Sequence, residues 1–278
     1  MDWRIVVDSS CDFYKLEDND IGIKYSSVPF VISIDGKDFV DTKDLNKEEL
    51  VDAMDACKET SLTSCPSPGT WMDAFGDEEN VIVLTISSNL SGSYNGAVAG
   101  KEMALEENPN RNIEVIDTLT TGPEMCLAVK KIQKLIAKGL SFDEVVSKTK
   151  AYLKTTHIIF ALSSYNNLIR NGRMPKVAGL VAGKLKLTGV GIGSEEGTID
   201  IKKITRGDKR VVDTIINDIK TRGQEVKEVI ITYCQNIELA ENIRNVVLEI
   251  WDDVKVSIMP TSGLCSYYAE RNGIIVGF

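Results

Sequence analysis

The 278-residue chain is 43% hydrophobic and 26% charged, a composition that excludes a disordered segment and suits one large domain or two medium ones. Its formal net charge of -9, from 41 acidic against 32 basic residues, sets it against nucleic acid and anionic membrane surfaces at long range. Apolar runs such as 81–84 and 273–278 fall well short of the roughly 18 residues a membrane-spanning helix needs, so no stable membrane insertion is expected.

The amino terminus has an acid at position two and only a short apolar run before Asp8, unlike a secretory leader, and a cytoplasmic location is expected. In chain order, β-branched apolar runs predict strands at 4–7, 28–34, 81–86, 113–116, 158–162, 185–192, 229–233 and 254–259. Between them, spacings of three and four predict amphipathic helices at 94–107, 124–138, 211–219 and 239–250. Asn46-x-x-Glu49 and Ser141-x-x-Glu144 read as helix starts, and Gly139 as a helix stop. Strands alternating with helices define an α/β protein with a largely parallel sheet. Between 163 and 207 the texture changes: eight glycines, a basic excess and few periodic patterns. We therefore expect two domains, 1–162 and 163–278.

Six cysteines without a C-x-x-C pair, and a single histidine, His157, exclude chemistry that needs two imidazoles and leave reduced thiols and no metal as the expectation. Neither G-x-x-x-x-G-K-[ST] nor a post-strand G-x-G-x-x-G is present, and Gly189-x-Gly191-x-Gly193 reads better as strand and turn. No cofactor is expected. His157 directly precedes the predicted strand 158–162, where a structural histidine is commoner than a base.

Small hydroxyl residues gather in three loops: Asp8-Ser9-Ser10, Thr63-Ser64-Cys65-Pro66-Ser67-Pro68-Gly69 and Ser87-Ser88-Asn89-Leu90-Ser91-Gly92-Ser93. The third follows a predicted strand and precedes a predicted helix, so it faces the carboxyl edge of a parallel sheet, where ligands bind. Hydroxyls beside free helix-start amides suit a carboxylate or phosphate. The same residues also serve as plain turns and caps, and the residues alone leave both readings open.

Taken in order, several segments resemble the DegV family of bacterial fatty-acid-binding proteins. Val6-Val7-Asp8-Ser9-Ser10-Cys11-Asp12 is similar to its first strand and loop, and Val28-Pro29-Phe30 through Ile34-Asp35-Gly36-Lys37 with Asp41 to its second block. Thr63-Ser64-Cys65-Pro66-Ser67 resembles its T-S-x-P-S motif, with Cys65 where Gln is common. Ile86 to Tyr94 resembles S-S-x-L-S-G-T-Y, with Ser93 for the usual Thr, and Asn171-Gly172-Arg173 and Thr205-Arg206-Gly207 resemble its G-R and R-G elements.

The resemblance implies a parallel-sheet first domain, a mixed-sheet second domain, and a long-chain fatty acid held in a tunnel between them. It implies that hydroxyls of Thr63, Ser64, Ser88 and Ser91 bind the carboxylate and that Arg173 and Arg206 lie on the side of phosphoryl transfer or of a fatty-acid kinase partner. The chain departs from the pattern where relatives carry a histidine followed by G-P-G: it reads Tyr268-Ala269-Glu270-Arg271-Asn272-Gly273. The function expected is a non-catalytic lipid carrier. The alternative is an acyl-processing enzyme with Ser91 or Cys65 as nucleophile, for which His157 is the one imidazole available as base.

Overall fold

The computed structural model describes residues 2–16, 19, 21–175, 187–223 and 225–278. The first half runs β1 (Trp3–Asp8), β2 (Lys24–Val28), β3 (Val31–Ile34), β4 (Lys37–Val40), α1 (Lys47–Ala56), β5 (Ser61–Ser64), α2 (Pro68–Ala74), β6 (Asn80–Thr85), α3 (Ser93–Glu107), β7 (Asn112–Asp117), α4 (Gly122–Ala137) and α5 (Phe142–Leu153). The second runs β8 (Ile158–Leu162), α6 (Asn166–Arg170), β9 (Leu187–Gly193), β10 (Ile199–Arg206), α7 (Asp208–Arg222), β11 (Glu228–Tyr233), α8 (Ile237–Ile250), β12 (Lys255–Pro260), α9 (Gly263–Ala269) and β13 (Ile274–Gly277).

Among the described residues, the strands form three sheets. The first, β2-β1-β6-β7, is parallel throughout. The second, β10-β9-β8-β13-β11-β12, is mixed: only β11 and β12 run parallel. A small antiparallel sheet, β4-β3-β5, stands apart. Parallel strands buried on both faces need unbroken apolar runs, and β6 supplies one, buried from end to end. Trp71, Phe75 and Ala97 of α2 and α3 cover one face of the first sheet, while Met125, Val129 and Ile132 of α4 cover the other. Ile230 of β11 joins that second cluster, so α4 is packed between the two large sheets.

The expected strand at 28–34 is two strands. Pro29 has no N–H to continue a ladder, and at Pro29 and Phe30 the chain passes from the parallel sheet to the small one. Of the expected strand 185–192, residues 187–192 lie in β9, and 185 and 186 lie outside the described residues. Both predicted helix starts are capped: Asn46 Oδ1 accepts from Glu49 N–H at 3.2 Å, and the Glu144 carboxylate accepts from the N–H and hydroxyl of Ser141 at 2.9 and 2.8 Å. Thr63 and Ser64 belong to β5, and Ser67, accepting from Thr70 N–H, caps α2. Because β8 pairs with β9 and β13 in the second sheet, we propose that the domains divide just before β8 rather than just after it.

At the edge of the first sheet away from its loops, Glu78 accepts from Arg4 Nε at 2.5 Å and pairs with Lys24. Burial works to raise its pKa, but these cationic partners outweigh it and hold Glu78 down to about 2, below its usual 4.5. A depressed carboxylate stabilises the fold above its unfolded pKa and loses that contribution as pH falls through its folded value. Urea midpoints measured between pH 5 and 2 should therefore fall less steeply for Glu78→Gln than for the parent, and parallel curves would contradict the pairing.

Candidate functional site

Three loops meet at the carboxyl edge of the parallel sheet, and Asp8, fully buried at the end of β1, ties the first of them to the third. Its Oδ2 accepts from Ile86 N–H at 2.9 Å and from the Ser93 hydroxyl at 2.7 Å, while its Oδ1 accepts from the N–H and hydroxyl of Ser10. Burial raises the Asp8 carboxyl above its ordinary range, and these four hydrogen bonds oppose the rise without cancelling it. The donor partners that the sequence did not reveal for Asp8 are thus the head of the third loop, at Ile86, and the start of α3, at Ser93. A similar device holds α9. Asp41 accepts from the N–H groups of Gly263 and Leu264, each at 2.7 Å, and Asp12 from Ser262 N–H at 2.6 Å.

The second loop is brought to the third by close packing of α2 on α3. A Cβ at Gly100 would lie 2.7 Å from the Pro68 carbonyl oxygen, so only glycine admits this approach. Cys65 Sγ consequently sits 3.6 Å from where a Cβ on Gly92 would be.

Between these loops and the face of the second sheet lies a cleft of about 850 Å³, counting the space open to solvent at its mouth. Phe30, Ile86, Leu90, Leu264, Phe160 and Ile275 give it a largely aliphatic and aromatic wall. Its outer wall is the hairpin of β9 and β10, whose turn packs on the first domain: Asn89 Nδ2 donates to Glu196 O at 2.7 Å, and a Cβ on Gly197 would fall 2.3 Å from Ser87 Oγ.

Polar groups converge on one part of this lining. Thr63 Oγ1 and the Tyr268 hydroxyl are 2.8 Å apart, so one hydroxyl proton serves their mutual bond and the other stays available to a ligand. Burial raises the Tyr268 pKa, against the opposing pull of Thr63 and the nearby Arg173 guanidinium, which keeps the phenol protonated at neutral pH. Arg173 Nε donates to Leu90 O at 3.1 Å, which places the guanidinium beside Ser91. Other hydroxyls in the lining have internal duties: Thr120 donates to the buried Glu124 carboxylate and Thr198 shares a bond with Ser194. Cys265 also lines the cleft, but burial, with Asp12 adding to it, pushes its thiol well above the ordinary range and leaves it unreactive.

Of the residues singled out in the sequence, Thr63, Ser91 and Arg173 line the cleft together. Ser64 is exposed, since neighbours on β5 point to opposite faces and Thr63 takes the inner one. Ser88 is also exposed, with its N–H donated to Asp117 at 3.1 Å, while its neighbour Ser87 is the buried member of the pair. Arg206 is exposed at the end of β10, away from the lining. Cys65 is exposed at the loop surface. Ser91 Oγ accepts from Ser93 N–H, and His157 packs its half-buried ring on Phe278, so neither candidate nucleophile is hydrogen-bonded to the imidazole. Among the described residues, no cluster of three or more His, Cys, Asp or Glu side chains is placed to hold a metal, and no helix is long and apolar enough to cross a membrane. Tyr268 was missed, although it stands in the stretch where the family pattern has its histidine.

A parallel sheet joined to a mixed one across an apolar cleft with a single polar corner defines a two-domain α/β binding protein. The family model described as "Uncharacterised protein, DegV family" matches residues 2–277, and the chain belongs to the DegV family. A DegV domain-containing protein of Streptococcus gordonii is 37% identical over 278 residues, covering 100% of this chain and 99% of its own. Among solved structures, the Streptococcus pneumoniae Fatty Acid Kinase (Fak) B3 protein loaded with linoleic acid is 36% identical, with a TM-score of 0.97 over 100% of this chain and 99% of that one. A Eubacterium eligens DegV family protein loaded with heptadecanoic acid is 34% identical, with a TM-score of 0.94 over 99% and 98% of the two chains.

Proposed function

We propose that this protein is a non-catalytic carrier for a long-chain fatty acid, holding the acyl chain in the cleft and the carboxylate at Thr63, Tyr268, Ser91 and Arg173. The observation that carries the reading is the cleft itself: apolar over most of its lining, with neutral hydroxyls and one guanidinium gathered at one corner. Each buried methylene contributes roughly 0.8 kcal/mol before the entropy of ordering the chain is subtracted, so the tail supplies the affinity. Hydroxyl donors and the guanidinium orient the head group and favour acids over esters. The lipid-loaded relatives from S. pneumoniae and E. eligens support the same reading.

The exposed Arg206, with Arg173 at the lining, would serve a partner that acts on the presented carboxylate, and a fatty-acid kinase is the partner proposed because the S. pneumoniae relative is a component of one. A cytoplasmic location and the lack of any cofactor besides the lipid belong to the same proposal. Native mass spectrometry of gently purified protein should show a bound acyl acid of sixteen to eighteen carbons, about the length of those held by the relatives. A lipid-free protein that also ignores added palmitate and oleate would rule the reading out.

A further inference from the structure

The glycine run Gly189-x-Gly191-x-Gly193 has no role in the account so far. Alternate residues of a strand share a face, so all three lie on one side of β9, while Val190 and Ile192 on the other side pack into the core beneath α7 and α8. Glycine weakens a strand, and three on one face call for a physical reason. The neighbouring strand provides it. A Cβ on Gly189 would lie 2.5 Å from the hydroxyl oxygen of Tyr165, just beyond β8, one on Gly191 2.5 Å from Phe160 Cζ and 2.6 Å from the Asp200 carbonyl oxygen of β10, and one on Gly193 2.7 Å from Ile158 Cγ2. Three side chains thus lie down on bare backbone. Tyr165 is fixed there by donating to Gly189 O at 2.8 Å, whereas Phe160 and Ile158 belong to the cleft lining.

The two ends of β8 differ. Its C-terminal end leads into α6, where Arg170 and Asn167 reach Ser61 of β5, and on to Arg173, which is the polar corner. Ile158 lies at the other end, roughly 13 Å away along the strand. Resting on the fatty-acid reading above, we propose that Ile158 and Phe160, seated on Gly193 and Gly191, set the length of acyl chain the cleft admits. With the glycines in place these side chains lie against the sheet and leave the far end open. A methyl group at Gly193 meets, within 4 Å, only the Cγ2 methyl of Ile158, whose side chain must then turn toward the cleft.

The test is competition binding with saturated acids of fourteen to twenty carbons, with thermal unfolding as a check on the fold. Gly193→Ala should keep its affinity for the fourteen-carbon acid and lose roughly fourfold for each methylene excluded, which for about two excluded by the displaced methyl is on the order of tenfold for the eighteen-carbon acid. Ile158→Ala, which adds room and does not depend on the glycine variant folding, should shift preference toward twenty carbons, and the double variant should return to the parent order. Equal losses at every length, or an unchanged order in both single variants, would overturn the proposal. A parent protein that binds none of the acids would overturn the carrier reading together with it.

Discussion

Asp8→Ala should lower the free energy of unfolding by about 3–5 kcal/mol, the largest effect expected of any single truncation at the sheet edge. The alanine leaves four buried donors without their acceptor: two groups of Ser10, the Ile86 amide and the Ser93 hydroxyl. Each stranded donor costs about 1–3 kcal/mol, and water entering the vacated space recovers part of the sum. Asp8→Asn should recover less than its shape suggests, because one of its two oxygens becomes an NH₂ that faces donors. Urea denaturation gives the answer through the midpoint at an unchanged slope. A loss below about 1 kcal/mol for Asp8→Ala would mean that the first and third loops hold their positions without this carboxylate.

Removing both hydroxyls at the polar corner, as Thr63→Val with Tyr268→Phe, should weaken binding of a free fatty acid by about 10- to 100-fold, the equivalent of one charge-assisted hydrogen bond of about 1.5–3 kcal/mol. One bond is the appropriate count because the pair already shares a proton between Thr63 Oγ1 and the Tyr268 hydroxyl, leaving one to donate outward. The methyl ester, which carries no charge, should lose only a few-fold. Ser88→Ala is the matched control and should change neither affinity, since that side chain is exposed outside the cleft. Isothermal titration of acid and ester against the three proteins separates the cases. Equal losses for acid and ester would place the head group elsewhere.

Much of this architecture could be read along the chain, because β1, β6, β8 and β11 carry buried apolar runs rich in β-branched residues, and β7 alternates Ile113 and Val115 with polar neighbours, patterns that belong to the strand alone. β5 and β4 are short and partly polar, and they acquire strand pairing only through β3. The three hydroxyl loops were legible as a group for the same local reason: each follows or flanks a strand. Which serine of Ser87-Ser88 turns inward was not, since that depends on how the chain leaves β6. Tyr268 was the least accessible. Its hydrogen bond to Thr63 joins residues 205 apart in sequence, and no local pattern distinguishes a tyrosine that lines a cleft from one that fills a core.

The hairpin of β9 and β10 carries a kinetic consequence. It is the outer wall of the cleft and the free margin of its sheet, and its turn meets the first domain through the Asn89 amide and the bare backbone of Gly197. The opposite rim is knotted at Asp8 and cannot yield without stranding several buried donors. We expect an enclosed lipid to enter and leave past the looser of the two walls, so that its residence time follows the hairpin's grip and its affinity the cleft's interior. Removing the Asn89 amide contact is therefore expected to shorten the residence time of a bound lipid more than it changes the contacts that hold its tail.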